Sequence, residues 1–169
     1  GRAIAHFQGF VAQLLGRPDW PAELASLTRP PVLEALARLL GVSDFLWTDL
    51  LRLQHENLFP IIRDVEALAE PKSAAQLQAE LEAELAPLAP DFEAQAEALN
   101  AFKDREIFRA DMRHIQGYLE GFGAFSEELS NVVEVVVRGA VRLCRDALAA
   151  RHGAPRDAAG APIPLTVLA

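Results

Sequence analysis

Apolar residues recur every three or four positions through most of this sequence, the spacing that one face of an α-helix requires. The pattern predicts seven helices and a short helical turn, separated by Pro, Gly and Ser residues that start or end helices. These elements cover residues 3–15, 22–27, 31–40, 44–54, 60–70, 74–86, 91–116 and 126–151. The sequence therefore predicts an all-α fold, a multi-helix bundle in which the long helices 91–116 and 126–151 pack antiparallel.

The stretch NVVEVVV, residues 131–137, is rich in β-branched residues, and its composition would also suit a strand. Its apolar positions nevertheless keep the helical interval into the residues that follow, which favours a helix. Gly153 is expected to end this helix, and residues 154–164 are expected to form a flexible linker. The apolar run IPLTVLA at the end of the sequence is typical of the opening of a buried strand.

Composition and charge exclude several classes of protein. The formal net charge is −8, whereas a protein that binds nucleic acid needs a surplus of Lys and Arg to contact phosphates. No stretch approaches the roughly 20 uncharged apolar residues that span a bilayer, and the first residues lack the pattern of a secretory signal. The single cysteine, Cys144, cannot form an internal disulfide, which fits a reducing cytosol. We expect a cytoplasmic protein with no nucleic-acid or membrane partner.

The residue types that usually carry catalysis do not form a recognisable site. The sequence contains no glycine-rich phosphate loop, no Gly-x-Ser-x-Gly motif and no Asp-x-Asp pair for magnesium. His55 and Glu56 begin like a zinc-protease motif, but no second histidine follows four residues after the first. Cys144 falls on the buried-side interval of its helix, where an inert core thiol is the simplest interpretation and an activated thiolate the alternative. We predict no catalytic residue and no metal site in this segment.

One helix carries more charge than a core helix should. In ALNAFKDREIFRADMRHIQG, residues 98–117, Arg105, Arg109 and Arg113 recur at four-residue spacing beside large apolar residues, and Glu106 lies next to them. Guanidinium groups on one helical row repel one another unless they face carboxylates, carbonyls or phosphate. Either the row forms salt bridges to neighbouring helices, or it braces an adjoining catalytic domain or reaches its anionic ligand. The candidate partners within this chain include Asp44, Asp49 and Glu134.

The same segment resembles a pattern of the bacterial glutamine synthetase adenylyltransferase family, L-x-x-F-[RK]-x-R-E-x-x-R-I-x-x-R-x-[IL]-x-G. The residues that match this pattern are Leu99, Phe102, Lys103, Arg105, Glu106, Arg109, Arg113, Ile115 and Gly117. Ala110 departs from it, because the family usually has an aliphatic residue there. Upstream, LLGVSDFLWTDLLRLQHENL is similar to a second family segment, with His55 in place of a proline. Downstream, FSEELSNVVEVVVRGAVRLC and PIPLTVLA resemble the helix that precedes a nucleotidyltransferase domain and the first strand of that domain.

The resemblance covers roughly residues 35–169 and implies the helical lead-in of a nucleotidyltransferase unit, truncated before its phosphate loop. It implies a helical domain at residues 1–153, a linker at 154–164 and the start of the truncated nucleotidyltransferase domain at 165–169. Proteins of this family use ATP and a divalent metal to transfer AMP to a tyrosine of glutamine synthetase, and a second unit removes the AMP by phosphorolysis. The resemblance implies Mg²⁺ and ATP for the parent protein and no cofactor in this segment. The implied partners are glutamine synthetase, a nitrogen-signal protein and the chain's own nucleotidyltransferase domain.

The sequence leaves two alternatives open. The chain could be a free-standing helical module that binds other proteins without catalysis, in which case the resemblance reflects helix composition only. It could also be an enzyme of another kind that uses Cys144 or a histidine. Because the chain begins without Met and ends in an apolar run, we expect a piece of a longer protein. A glycine-rich loop and an Asp-x-Asp pair after Ala169 would favour the transferase.

Overall fold

The computed structural model of this chain describes residues 2–16, 18, 20–21, 25, 27–41, 66–161 and 163. These residues form five α-helices and two short 3-10 turns, with no β-strand among them. The helices are α1 (Arg2–Leu15), α2 (Pro30–Gly41), α3 (Ala74–Leu85), α4 (Phe92–Gln116) and α5 (Gly121–His152), and the 3-10 turns are Ala67–Ala69 and Ala86–Leu88. The prediction of an all-α fold is confirmed for this part of the chain.

Some predicted elements lie outside the described residues. They are most of the short helical turn at 22–27, the helix at 44–54, most of the helix at 60–70 and the strand at 165–169. Among the described helices, none is both long and apolar enough to cross a bilayer.

The starts of α3 and α4 follow from local hydrogen bonds that the sequence predicts. Ser73 caps α3 in a reciprocal pair, in which Gln76 N donates to Ser73 Oγ at 3.2 Å and Ser73 N donates to Gln76 Oε1 at 2.9 Å. Asp91 caps α4 by accepting a hydrogen bond from Ala94 N at 3.1 Å. Gly117 ends α4 in the left-handed conformation at φ 81°, which a glycine adopts without strain.

The start of α5 differs from the prediction. The helix begins at Gly121 rather than after Ser126, and no side chain caps its first turn. Gly123, in this first turn, costs about 1 kcal/mol of helix propensity relative to alanine. Aromatic contacts oppose this cost: Phe125 stacks on His114 of α4 with ring centroids 4.7 Å apart, and Phe122 packs edge-on against Phe125. The β-branched run 131–137 lies inside α5, so the prediction that it is helical is confirmed.

The described core consists of two apolar clusters joined by α4. One cluster packs α1, α2 and the turn at Leu68 against the carboxyl-terminal half of α4, where Phe108 and Met112 are buried. The other packs α3 and α5 against the amino-terminal half of α4, where Leu99 and Phe102 are buried. Because α4 contributes to both clusters, the charged residues at 105–113 lie where the helix passes from one cluster to the other.

Close packing of α5 against α3 and α4 depends on Gly139. A Cβ atom at this position would lie 3.0 Å from Leu81 Cδ2 and 3.2 Å from Leu99 Cδ1. A larger side chain would therefore push against both neighbouring helices.

Hydrogen bonds close part of the segment after α5, which the sequence predicts to be a linker, into a turn. The Oδ1 atom of Asp157 accepts hydrogen bonds from Ala159 N at 2.9 Å and Ala161 N at 2.8 Å. Asp157 N in turn donates to Ala161 O at 2.9 Å, and Ile163 N donates to Pro155 O at 3.1 Å. The Asp157 side chain thus supplies acceptors that composition alone does not reveal.

Candidate functional site

Arg113 is the most deeply buried member of the arginine row. Its side chain is 3% exposed, and its Nε donates to Glu128 Oε1 at 2.9 Å and to Oε2 at 3.0 Å. Its Nη1 donates to the carbonyl oxygen of Leu68. One guanidinium therefore links α4 to α5 and to the 3-10 turn at 67–69, as its planar arrangement of donors permits.

Arg109 contacts backbone carbonyls rather than a carboxylate. Its Nη2 donates to Ala67 O at 3.1 Å and to Glu70 O, on either side of the same 3-10 turn. Burial lowers the pKa of Arg109 and the positive charge of Arg113 lowers it further, against the opposing charge of Glu106. An arginine nevertheless stays charged at neutral pH, so the carbonyls face a full positive charge.

Arg105 pairs with two carboxylates. Its Nη2 donates to Glu84 Oε1 of α3 at 2.6 Å, and its Nε donates to Glu106 Oε1 at 3.1 Å. Burial by itself lowers the pKa of Arg105, but the hydrogen bonds and charges of Glu84 and Glu106 outweigh it, so the pKa is raised overall. Its guanidinium carbon also lies 5.1 Å from the centroid of the Phe102 ring, within the range of a cation–π contact.

Glu106 is a buried carboxylate between two cations. It is 3% exposed, and besides Arg105 it accepts two hydrogen bonds from Lys72 Nζ, at 3.0 and 3.1 Å. Lys72 also donates to Glu80 Oε2 at 2.6 Å. Lys72, Glu80, Glu84, Arg105 and Glu106 thus form a connected ionic network, which we call the α3–α4 network.

The structure tests one of the three candidate partners that the sequence offered for the row. Glu134 pairs with Arg138 on its own helix, so its prediction as a partner is wrong. Asp44 and Asp49 lie outside the described residues. Glu80 and Glu84 of α3 are half-buried and paired.

Comparison with known proteins assigns the chain to a family. The family model described as glutamate-ammonia ligase adenylyltransferase matches residues 33–169. The chain belongs to this family. The resemblance noted in the sequence is therefore confirmed.

A curated relative agrees with the assignment to the adenylyltransferase family. The chain is 32% identical over 130 residues to the bifunctional glutamine synthetase adenylyltransferase/adenylyl-removing enzyme of Chromobacterium violaceum. The matched region covers 76% of this chain but spans only 14% of the relative's length. No solved structure matches the chain.

In this adenylyltransferase-family chain, sequence reasoning missed the residues that complete the ionic contacts. Lys72, Glu84 and Glu128 lie 34, 21 and 15 positions from the residues that they contact. No local spacing relates residues so far apart. Glu106 itself indicated that such partners exist, because a carboxylate beside a buried apolar stripe needs hydrogen-bond donors from other residues.

One other candidate from the sequence is placed differently. Cys144 is exposed, so its predicted position on the buried side of the helix is wrong. Cys144 lies instead on a second, outer face of α5.

Within the described ranges between 2 and 163, no group of three or more His, Cys, Asp or Glu side chains is placed to hold a metal ion. His55 lies outside the described residues.

Replacing Arg109 with alanine is expected to lower the free energy of unfolding by about 1–3 kcal/mol, because two backbone carbonyls lose their charged donor. Arg109→Lys should restore only part of this loss, since the lysine ammonium is a compact charge without the planar donors of a guanidinium. Thermal unfolding of both variants beside the parent chain measures the effect. Melting temperatures equal to that of the parent for both variants would show that these contacts add no stability.

Proposed function

We propose that this chain is the helical, non-catalytic part of a nucleotidyltransferase that adds AMP to glutamine synthetase and removes it. The observation that carries the proposal is the family match, which covers residues 33–169. The name of the curated relative includes both an adenylyltransferase and an adenylyl-removing activity. The absence of a glycine-rich loop and of an Asp-x-Asp pair from residues 1–169 supports a non-catalytic role for this segment.

In this proposal, α4 and α5 pack antiparallel at the centre of the helical segment. Arg113 pairs with Glu128 near the connection between the two helices. Leu99, much earlier in α4, approaches Gly139, which lies later in α5. Contacts between earlier residues of one helix and later residues of the other support this arrangement.

The arginine row acts as an internal brace in this proposal. Arg105 reaches α3, Arg109 reaches the 3-10 turn, and Arg113 reaches both that turn and α5. Because these contacts join α3, α5 and the 3-10 turn to α4, the row holds these elements at defined positions relative to one another. These contacts favour salt bridges within the helical segment over a direct contact with an anionic ligand.

The proposed organisation is a helical domain at 1–153, a connecting segment at 154–164 and a nucleotidyltransferase domain that starts at 165. We propose that magnesium and ATP bind in that following domain, as the resemblance to the adenylyltransferase family implies for the parent protein. The proposed partners are glutamine synthetase, a nitrogen-signal protein and the chain's own nucleotidyltransferase domain.

An AMP-transfer assay tests the proposal. We expect the full-length protein to incorporate AMP from labelled ATP into glutamine synthetase, and the purified chain of residues 1–169 to incorporate none. The physical reason is that transfer needs carboxylates to position the metal and a loop to hold the phosphates. A heat-treated sample of each protein is the control.

Each part of the proposal has an outcome that contradicts it. Incorporation by the chain of residues 1–169 above its heat-treated control would show that this segment is catalytic. A full-length protein that neither transfers AMP to glutamine synthetase nor removes it would instead favour a helical interaction module.

A further inference from the structure

The outer face of α5 carries an apolar groove that no described helix fills. The groove has a volume of about 570 Å³ and lies along the last turns of α5. Its apolar lining includes Val141, Cys144, Leu148, Ala149, Pro155 and Ile163. Leu148 is 59% exposed, although a leucine side chain gains free energy on burial.

This groove lies on a second apolar face of α5. The first face, which includes Val135 and Leu143, is buried against α3 and α4. The exposed residues Val133 and Val137 extend the second face toward the start of the helix, at four-residue spacing. A contiguous apolar surface of this kind marks an interaction site, whereas single exposed apolar residues do not.

The loop after α5 places the chain at this groove. Asp157 closes residues 157–161 into a turn through its two accepted hydrogen bonds, and Gly160 adopts φ 84° within it. The turn reverses the chain, so that Ile163 N donates to Pro155 O and Ile163 lines the groove beside Leu148. The loop thus brings Ile163 to the groove.

We propose that this groove is the docking surface for the domain that follows Ile163 in the same chain, and that the Asp157 turn fixes where that domain starts. The inference rests on the proposed function, which places the start of a nucleotidyltransferase domain at Leu165. The two residue steps from Ile163 to Leu165 span at most about 7 Å. The following domain therefore begins within side-chain reach of the groove. So short a tether gives the domain a high effective concentration at this surface, which a separate partner lacks.

Charge at the rim indicates the chemistry of the docked surface. Arg145 and His152 line the groove, and none of its described lining residues is acidic. We therefore expect an apolar patch with carboxylates at its edge on the facing side of the following domain.

The test uses Cys144, which lines the groove and is the single cysteine of this segment. The rate at which it reacts with N-ethylmaleimide is measured in the native full-length protein, by mass spectrometry of the peptide that contains it. We expect Cys144 to react at least about tenfold more slowly in the parent protein than in a Leu148→Asp variant, because a covered thiol is inaccessible to the reagent. An Asp157→Ala variant, which loses the acceptor that closes the turn, should react at an intermediate rate.

Phe122→Asp is the matched control, because Phe122 is 77% exposed and lies at the opposite end of α5. Its Cys144 should react like that of the parent. Leu148→Ser introduces a smaller, uncharged polar group at the same position. It should also make Cys144 react faster than in the parent protein. Circular dichroism of each variant identifies any that fails to fold, and the serine variant then replaces the aspartate variant.

Two results would overturn the docking surface. One is a parent Cys144 that reacts as fast as the cysteine of the folded Leu148 variant. The other is protection that disappears on dilution, because a second copy of the protein would then be the occupant. AMP transfer and removal are measured on the same samples. A parent protein that lacks both activities would contradict the proposed function. An active parent protein with a fast-reacting Cys144 would contradict only the docking surface.

Discussion

Replacing Arg113 with alanine is expected to lower the free energy of unfolding by about 3–5 kcal/mol, the usual cost of removing one partner of a buried ion pair. The side chain of Arg113 is 3% exposed and that of its partner Glu128 is 15% exposed. Glu128 would be left charged and poorly solvated, and Leu68 O would lose its donor. Urea unfolding of the variant and the parent measures the difference in free energy.

Arg138→Ala is the matched control for Arg113→Ala. Arg138 also pairs with a glutamate, but both side chains are well exposed and lie four residues apart on α5. Its loss is expected to cost no more than about 0.5 kcal/mol. Arg113→Lys should regain only part of the stability, since the compact lysine ammonium lacks the planar fork of donors with which the guanidinium reaches both Glu128 and Leu68. A loss for Arg113→Ala as small as that for Arg138→Ala would contradict the prediction.

Replacing Glu106 with alanine is the second change expected to have a large effect, a loss of roughly 2–4 kcal/mol. Glu106 is 3% exposed and accepts hydrogen bonds from both Lys72 and Arg105. Without it, two partly buried cations lie near each other, and each keeps only its second glutamate partner. The loss is smaller than for Arg113 because those second partners remain. Urea unfolding measures it in the same way.

Glu134→Ala serves as the control for Glu106→Ala, because it removes a glutamate from the exposed pair with Arg138. A change within about 0.5 kcal/mol is expected for it. Glu106→Gln keeps the size of the side chain while removing its charge, so it separates the ionic contribution from the effect of a cavity. If Glu106→Ala is no more destabilising than Glu134→Ala, the α3–α4 network does not stabilise the fold.

Much of the helical architecture could be predicted because its causes are local. Ser73 and Asp91 cap their helices through hydrogen bonds to residues three positions away. The periodicity of apolar residues also identified the run 131–137 as helical despite its β-branched composition. The family was recognisable from the same kind of local information, since one charged segment carries a matching pattern of residue types.

The start of α5 was mispredicted because a tertiary contact opposes local propensity. Two glycines and a serine at 121–126 indicate a loop followed by a cap. The stacking of Phe125 on His114 stabilises a helix that begins five residues before that serine. The contact joins side chains from two different helices, so the sequence of the segment alone does not reveal it.

The sequence by itself determined that the described part of the chain is helical and where most of its helices begin and end. It also determined which family the chain belongs to, and that the arginine row needs polar partners. Tertiary structure alone decided that those partners are Glu84, Glu128 and the carbonyls around Leu68. It also decided that Cys144 lies on an exposed face. The physical reason is distance along the chain. Capping and periodicity act over three or four residues, whereas the pairing and burial of a charge depend on helices that only the folded chain brings together.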